Sequence, residues 1–187
     1  MKQLVIFASG NGSNAENIIR HFKDSATVKV SAVFCNRAGA GVVERARKHG
    51  VPVEIISREA LISGHVLSEL KKLNPDLIVL AGFLMMMPLP VIEHFPNKIV
   101  NIHPALLPKF GGKGMYGDNV HRAVLESGEK ETGITIHYVD EHYDSGDVIF
   151  QAKADVGDGA TVESIAQSVR LLELEHYPKV IEKLLFP

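Results

Sequence analysis

The sequence predicts an α/β fold, with a Rossmann-like, mostly parallel sheet, helices on both faces and an antiparallel hairpin near the C-terminal end. In the first hundred residues, short apolar runs alternate with segments whose apolar residues recur at helical spacing. This alternation is typical of a parallel sheet covered on both faces. Residues 132–139 and 148–154 are two strand-like runs joined by a short loop, which favours an antiparallel pair. A length of 187 residues suits one domain, 1–187.

The chain begins with a strand, a glycine-rich turn and a helix. Residues 4–8 are continuously apolar, as expected of a strand buried on both faces. Residues 15–22 place their apolar side chains on one helical face. Ser13 or Asn14 is the expected N-cap of this helix, because short polar side chains satisfy the free N–H groups of a first turn.

The same alternation continues to the middle of the chain. Gly50 and Pro75 mark the ends of two further helices, because glycine favours the position after a helix and proline cannot continue one. The predicted strands and helices are, in order, 28–34, 42–49, 51–56, 61–73, 77–81, 89–95 and 99–103.

The second half of the chain departs from this pattern. Residues 106–118 contain four glycines and are predicted to form a loop, and a helix is predicted at 119–126. After the hairpin, a long helix is expected from about Thr161. Pro178 is expected to interrupt this helix, since proline lacks the N–H that continues the hydrogen-bond ladder.

Composition limits the possible partners and compartments. The formal net charge of −2 gives no general attraction to nucleic acid or anionic membrane, so we expect neither as a partner. The single cysteine, Cys35, excludes an internal disulfide and a cysteine-based zinc site. No segment approaches the length of a membrane span, and the apolar start is too short for a signal peptide. We therefore expect a cytoplasmic protein.

The glycine-rich turn has the spacing Gly10-x-Gly12-x-x-Ala15 and resembles a dinucleotide fingerprint. The second strand, however, is followed by Asn36 and Arg37 and not by the acidic residue that holds a cofactor ribose. Only an NADP site would remain compatible with an arginine there. A helix N-terminus offers free N–H groups to an anion, so we interpret the turn as a site for one phosphate. A plain strand-to-helix turn is an equally good interpretation of these residues alone.

Asn101 and His103 occupy alternate positions of one strand and therefore share a face at its carboxyl end, where Pro104 stops it. Taken alone, the pair could simply brace a turn. With Asp144 from the acidic loop nearby, an amide, an imidazole and a carboxylate would suit acyl transfer through a tetrahedral intermediate. No activated serine or cysteine is evident, so direct transfer between two bound substrates is favoured.

Four histidines could be imagined as metal ligands, namely His103, His121, His137 and His142. Their spacing fits no known metal-binding motif. We therefore expect no metal and interpret those outside the predicted catalytic set as loop or surface residues.

Several segments carry a resemblance to a known family. They are Val-Ile-Phe-Ala-Ser-Gly-Asn-Gly-Ser-Asn at 5–14, Leu-Ala-Gly-Phe at 80–83, Asn-Ile-His-Pro-Ala-Leu-Leu-Pro at 101–108, Asp-Ser-Gly at 144–146, and Glu173 with His-Tyr-Pro at 176–178. In this order and over nearly the whole chain, they resemble the folate-dependent formyltransferases of the glycinamide ribonucleotide type, which act in purine synthesis.

The resemblance implies a role for each of these segments. Residues of about 1–100 would form a nucleotide-phosphate-binding half and about 101–187 a catalytic and folate-binding half. The phosphate would bind to Gly12, Ser13 and Asn14, the sugar or glycinamide portion to Arg170 and Glu173, and catalysis would use Asn101, His103 and Asp144. The folate would contact Arg58, Leu84, Met85, Met86, Met87, Asn101, Asp140, Glu141, His142, Tyr143 and Asp144.

The implied reaction takes the formyl group of 10-formyltetrahydrofolate, a co-substrate, to the substrate amine. Asn101 and a protonated His103 would stabilise the oxyanion, and Asp144 would keep His103 charged. The expected partners are these small molecules, and the expected state is a monomer or homodimer.

Three alternatives remain. A formyltetrahydrofolate hydrolase would use water as the acceptor, but such enzymes carry an extra N-terminal regulatory domain, whereas here the first strand begins at residue 2. A methionyl-tRNA formyltransferase would need a further C-terminal domain and a basic surface. A non-catalytic nucleotide- or folate-binding module would explain the pockets but not the combination of Asn101, His103 and Asp144.

Overall fold

A computed structural model describes residues 1–187, and seven strands and seven helices make up its regular structure. In chain order these are β1 (Lys2–Ala8), α1 (Ser13–His21), β2 (Val28–Cys35), α2 (Gly41–Lys48), β3 (Val53–Ile55), α3 (Arg58–Ile62), α4 (His65–Leu73), β4 (Leu77–Leu80), α5 (Leu89–His94), β5 (Ile99–His103), α6 (Asp118–Glu126), β6 (Glu131–Tyr138), β7 (Val148–Asp155) and α7 (Val162–Leu185).

All seven strands belong to one sheet in the order β3-β2-β1-β4-β5-β6-β7. The first five strands pair in parallel, β6 pairs antiparallel to β5, and β7 pairs antiparallel to β6. The predicted α/β fold with a C-terminal antiparallel hairpin is confirmed. The direction of strand addition reverses between β1 and β4, and ligands of open α/β sheets bind at the carboxyl ends of the strands beside such a reversal.

The core consists of two apolar layers, one on each face of the sheet. Within β1, Leu4, Ile6 and Ala8 pack into the larger layer, and Val5 and Phe7 pack into the smaller one. This alternation explains the unbroken apolar run at the start of the sequence, because both faces of a central parallel strand are buried.

Three details of the predicted helices are wrong, and two of them involve glycines. The helix predicted at 61–73 is in fact α3 and α4, separated where Gly64 takes a left-handed conformation with φ of 88°. The helix α1 is capped neither by Ser13 nor by Asn14, because Gly12 is the N-cap, with φ of 82° and no side chain to donate or accept. Glycine adopts both conformations without the steric cost that a Cβ would impose.

The interruption predicted at Pro178 does not occur, and α7 runs continuously from Val162 to Leu185. Pro178 cannot donate a hydrogen bond to the carbonyl of Leu174, which lies four residues earlier. That carbonyl instead accepts a hydrogen bond of 2.7 Å from the Asn17 side-chain amide of α1. A neighbouring element thus satisfies the group that proline leaves free, which allows the helix to continue.

None of the helices combines the length and the apolar composition needed to cross a membrane.

The first prediction concerns the close pairing of β6 and β7. A Cβ at Gly133 would collide with the carbonyl oxygen of Ala152 on the neighbouring strand, so Gly133→Ala should lower the free energy of unfolding by about 1–3 kcal/mol, a typical cost of overpacking. Gly157→Ala is the matched control, because a Cβ there meets no atom within 4 Å. Urea denaturation measures both, and equal stability of the two variants would contradict the prediction.

Candidate active site

A cavity of about 790 Å³ opens at the carboxyl ends of the central strands. Its walls come from the turn after β1, the segment after β4, the end of β5, the glycine-rich loop before α6, the loop between β6 and β7, and one face of α7. The sequence-predicted residues that line it are Gly12, Ser13, Asn14, Leu84, Met85, Met86, Met87, Asn101, His103, Asp140, His142, Tyr143, Asp144, Arg170 and Glu173. Arg58, the first residue of α3, and the exposed Glu141 are not among the lining residues, so their assignment to the folate remains a prediction.

The turn between β1 and α1 presents the N-terminus of a nine-residue helix to the cavity. Gly12 is required at its position, since a Cβ there would lie only 2.6 Å from the Cα of Val42. The Arg45 guanidinium pairs with Glu16 in the first turn of α1 and donates to Asn11 Oδ1 at 3.3 Å. These contacts hold the turn in place, and its free N–H groups give the geometry expected for binding an anion.

Glu173 joins the turn to the last helix, because the Asn14 side-chain amide donates a 2.9 Å hydrogen bond to Glu173 Oε2. Burial raises the pKa of Glu173 above its usual value, and the hydrogen bond from Asn14 and the charge of Arg170 oppose this rise only in part. Arg170 and Glu173 lie about one turn apart on α7 and both line the cavity. A polar wall is thus formed by residues that are distant in the sequence.

His103 ends β5 and is almost fully buried. Its Nε2 lies 2.8 Å from the carbonyl oxygen of Phe110, and since a carbonyl only accepts, Nε2 carries a proton. Its Nδ1 lies 3.5 Å from Asp144 Oδ2. Burial lowers the pKa of His103, and the nearby charge of Asp144 raises it by less, so the pKa lies below its usual value. Burial therefore favours the neutral ring in the unliganded protein, with a proton on Nε2. Asp144 raises the pKa of His103 in the expected direction, but desolvation outweighs this contribution, and the expectation that Asp144 keeps His103 charged stays a prediction.

Asp144 is held in a left-handed backbone conformation with φ of 54°, which is uncommon for a residue other than glycine. The N–H of Gly112 donates to Asp144 Oδ2 at 3.0 Å. Burial raises the pKa of Asp144, but the adjacent rings of His137 and His103 and the Gly112 N–H together lower it further, so the pKa lies below its usual value. The carboxylate stays ionised beside a neutral His103. Strained conformations of this kind concentrate at functional sites.

His137 and His121 are buried residues of the site, so the prediction that they are loop or surface histidines is wrong. His137 Nδ1 donates to the carbonyl of Tyr138 at 2.8 Å, and its Nε2 lies 3.2 Å from the Asn101 amide nitrogen and 3.7 Å from Asp144 Oδ1. His121 Nδ1 is buried without a partner, and burial lowers the pKa of this residue. The antiparallel pairing of β6 with β5 places His137 opposite Asn101, and periodicity in the sequence does not reveal this long-range register.

The segment after β4 forms the apolar wall of the cavity. Ser9, buried at the end of β1, donates its N–H to the carbonyl of Gly82 and accepts from the N–H of Leu84 at 2.9 Å. Leu84 and Met86 remain 39% and 45% exposed, so apolar surface is open to a ligand here. No group of three or more His, Cys, Asp and Glu side chains is arranged to hold a metal ion.

Comparison with known proteins identifies the family. The sequence model described as "Formyl transferase" matches residues 2–181. The chain belongs to the formyl transferase family. A structure of glycinamide ribonucleotide transformylase 1 from Geobacillus kaustophilus superposes on this formyl transferase with a TM-score of 0.90 and 36% identity, covering 99% of each chain.

Three relatives show how this formyl transferase compares in length. Phosphoribosylglycinamide formyltransferase of Escherichia coli (strain K12) is 38% identical over 95% of the chain and 84% of its own length. The chloroplastic phosphoribosylglycinamide formyltransferase of Arabidopsis thaliana is 39% identical over 96% of the chain. The chain spans 64% of the length of that plant protein and 61% of the Vigna unguiculata relative.

The geometry of this formyl transferase supports proton transfer beside an oriented amide. Asn101 is fixed by His137, and the free Nδ1 of His103 can take a proton that the ionised Asp144 would then stabilise. The N-terminus of α1 and an apolar wall flank these groups in the same cavity. The cavity thus combines groups suited to proton transfer with a polar and an apolar surface.

The second prediction concerns the titration of His103. Asp144→Asn removes the charge that raises the pKa of His103, so we expect His103 to titrate at lower pH in the variant. NMR titration of the imidazole measures this shift. The control is Asp140→Asn in the same loop, because Asp140 bonds to Ser145 and the His142 N–H and not to His103. An unchanged His103 pKa in Asp144→Asn would show that the two groups are not coupled.

Proposed function

We propose that this formyl transferase moves the formyl group of 10-formyltetrahydrofolate to the amine of glycinamide ribonucleotide (5′-phosphoribosylglycinamide), as in de novo purine synthesis. The observation that carries the proposal is that one cavity contains the helix N-terminus at Gly12, the acid Glu173, and the cluster of Asn101, His103 and Asp144. The relatives named as phosphoribosylglycinamide formyltransferases match nearly the whole chain and support the same substrates.

The two substrates would occupy opposite parts of the cavity. The ribonucleotide phosphate would bind the free N–H groups of Gly12, Ser13 and Asn14, with Arg170 and Glu173 facing its sugar or glycinamide portion. The folate would lie against Leu84, Met85, Met86 and Met87, whose flexible side chains suit a flat ring, and against the loop from Asp140 to Asp144. This arrangement brings the amine and the formyl carbon together beside His103.

In the proposed mechanism the substrate amine attacks the formyl carbon, and a new C–N bond forms as the carbonyl oxygen becomes an oxyanion. The second N–H of Asn101, oriented by His137, donates to that oxyanion. His103 Nδ1 takes the proton of the attacking nitrogen, and the imidazolium is stabilised by Asp144 and by the carbonyl of Phe110. His103 then gives this proton to the folate nitrogen as the bond from that nitrogen to the formyl carbon breaks. The products are the formamide and tetrahydrofolate.

The low pKa of His103 in the unliganded protein suits this order of steps. A neutral ring can act as the base first and as the acid afterwards, whereas a ring already protonated could not accept the proton of the amine. Asp144 therefore serves to stabilise a charge that forms during the reaction.

The third prediction tests the reaction class. We expect 10-formyltetrahydrofolate to be consumed only in the presence of glycinamide ribonucleotide, with one formyl group appearing on the ribonucleotide for each tetrahydrofolate released. Absorbance reports the folate and mass spectrometry the formylated product. Release of free formate without the ribonucleotide would instead identify a hydrolase. Binding of both ligands without turnover would identify a non-catalytic binding module.

The fourth prediction concerns Glu173. Because Glu173 bonds to Asn14 of the turn and has no hydrogen bond to His103, Glu173→Ala should raise KM for the ribonucleotide by about 10–100-fold, the loss expected for a charged hydrogen bond, with little change in kcat. Glu175→Ala is the matched control, since Glu175 is exposed on the same helix and pairs with Lys179. Steady-state kinetics with saturating folate measure both. An unchanged KM in Glu173→Ala would mean that Glu173 is an ordinary helix residue.

A further inference from the structure

Pro178 exposes one particular backbone carbonyl on α7. A proline at this position removes the donor for Leu174, four residues earlier, and its ring pushes that carbonyl outward. Leu174 directly follows Glu173, the proposed ribonucleotide contact. The proline therefore leaves an unsatisfied acceptor next to a residue of the cavity wall.

Asn17 of α1 supplies the missing donor through its side-chain amide, at 2.7 Å from the Leu174 oxygen. Asn17 lies three residues after Asn14 and so on the same helical face. Asn14 in turn donates to Glu173 at 2.9 Å. Two amides of α1 thus bond two consecutive residues of α7, and one of these contacts exists because Pro178 has no N–H.

We infer that Asn17 is a positioning residue which, together with Pro178, fixes the register of α7 against α1 and so holds Glu173 facing the glycine-rich turn. Asn17 itself does not line the cavity, so its effect on the ligand is indirect. The bond from Asn17 opposes both sliding and rotation of α7, because it is made to the backbone, whereas the bond from Asn14 ends on a flexible side chain. The functional part of this inference rests on the proposed ribonucleotide site.

A double-mutant cycle tests the structural part. Asn17→Ala should raise the unfolding equilibrium constant by about tenfold, because it leaves a partly buried carbonyl without a donor. In Pro178→Ala, residue 178 regains an N–H that can bond to Leu174 within the helix, so Asn17→Ala in that background should raise the constant by less than about threefold. Urea denaturation of the four proteins gives the coupling.

Kinetics test the positioning part. Asn17→Ala should raise KM for glycinamide ribonucleotide by about tenfold and leave kcat and KM for the folate within about twofold, the pattern of lost uniform binding. Asn17→Leu keeps the size and apolar contacts of the side chain but removes the donor, so it should behave like Asn17→Ala. Glu182→Gln is the matched control, because Glu182 also joins α7 to α1, through a contact of 3.2 Å with His21. This contact is exposed and lies nine residues along α7 from Glu173. Its KM values should not change.

Each outcome decides one part of the inference. If Asn17→Ala destabilises the wild type and the Pro178→Ala variant equally, the bond from Asn17 to Leu174 does not compensate for the proline. Full stability of Asn17→Leu would likewise show that this bond does not stabilise the protein. Coupling in the denaturation cycle with an unchanged ribonucleotide KM would overturn the positioning role. If the wild-type protein does not use the ribonucleotide at all, the proposed function fails, whereas the denaturation cycle still tests the structural part.

Discussion

The register between β5 and β6 is the constraint on which the rest of the site depends. It places His137 opposite Asn101 and Thr135 opposite His103. The buried Thr135 hydroxyl donates to the carbonyl of Ala105 and accepts from the N–H of Leu107 and the side chain of Gln151, which uses its full hydrogen-bonding capacity. The chain after β5 is thereby turned so that the carbonyl of Phe110 reaches His103. A shift of one residue would reverse every side chain of β6 and remove all of these contacts.

The charge at the centre of the site follows from burial. His103 lies between an acceptor that is always present, the Phe110 carbonyl, and a carboxylate on its other nitrogen. Both favour the imidazolium, yet removal from water favours the neutral ring and prevails in the unliganded protein. The same burial explains the sign of the pH dependence. An unfolded histidine has a pKa of about 6.5, so the unfolded chain binds more protons than the folded one as the pH falls below that value. The contribution of buried His103 to the free energy of unfolding is therefore present above about pH 6.5 and is lost as the pH falls. His121, whose pKa burial also lowers, adds in the same direction.

The sequence was sufficient for features that depend on local pattern. The strands β1, β4 and β5 were predicted because both faces of a central parallel strand are buried and the run is therefore apolar. The turn at Gly12 and the pair of Asn101 and His103 were found because each lies at a strand end.

The predictions that failed concern residues whose partners are distant in the chain. The Leu174 carbonyl freed by Pro178 is satisfied by Asn17, and His137 faces Asn101 through the antiparallel register. Periodicity reveals neither contact. Gly12 replaced the expected polar cap because Val42 leaves no room for a side chain.

The two parts of the cavity are linked by the reversal of strand order at β1. Because β1 lies between β2 and β4, the turn that follows it adjoins the segment that follows β4, and Ser9 bonds that segment twice. The glycine-rich turn and the apolar wall therefore share one buried residue, Ser9, as their common support. The helix α7 contacts the same turn through the hydrogen bond between Asn14 and Glu173. It also contacts the central strands, because the Tyr177 hydroxyl donates to the carbonyl of Leu80 at 3.0 Å. The proposed transfer of a formyl group to an amine would gain rate from the precision with which two ligands are placed, and both of the proposed ligand sites lie at the ends of the same central strands.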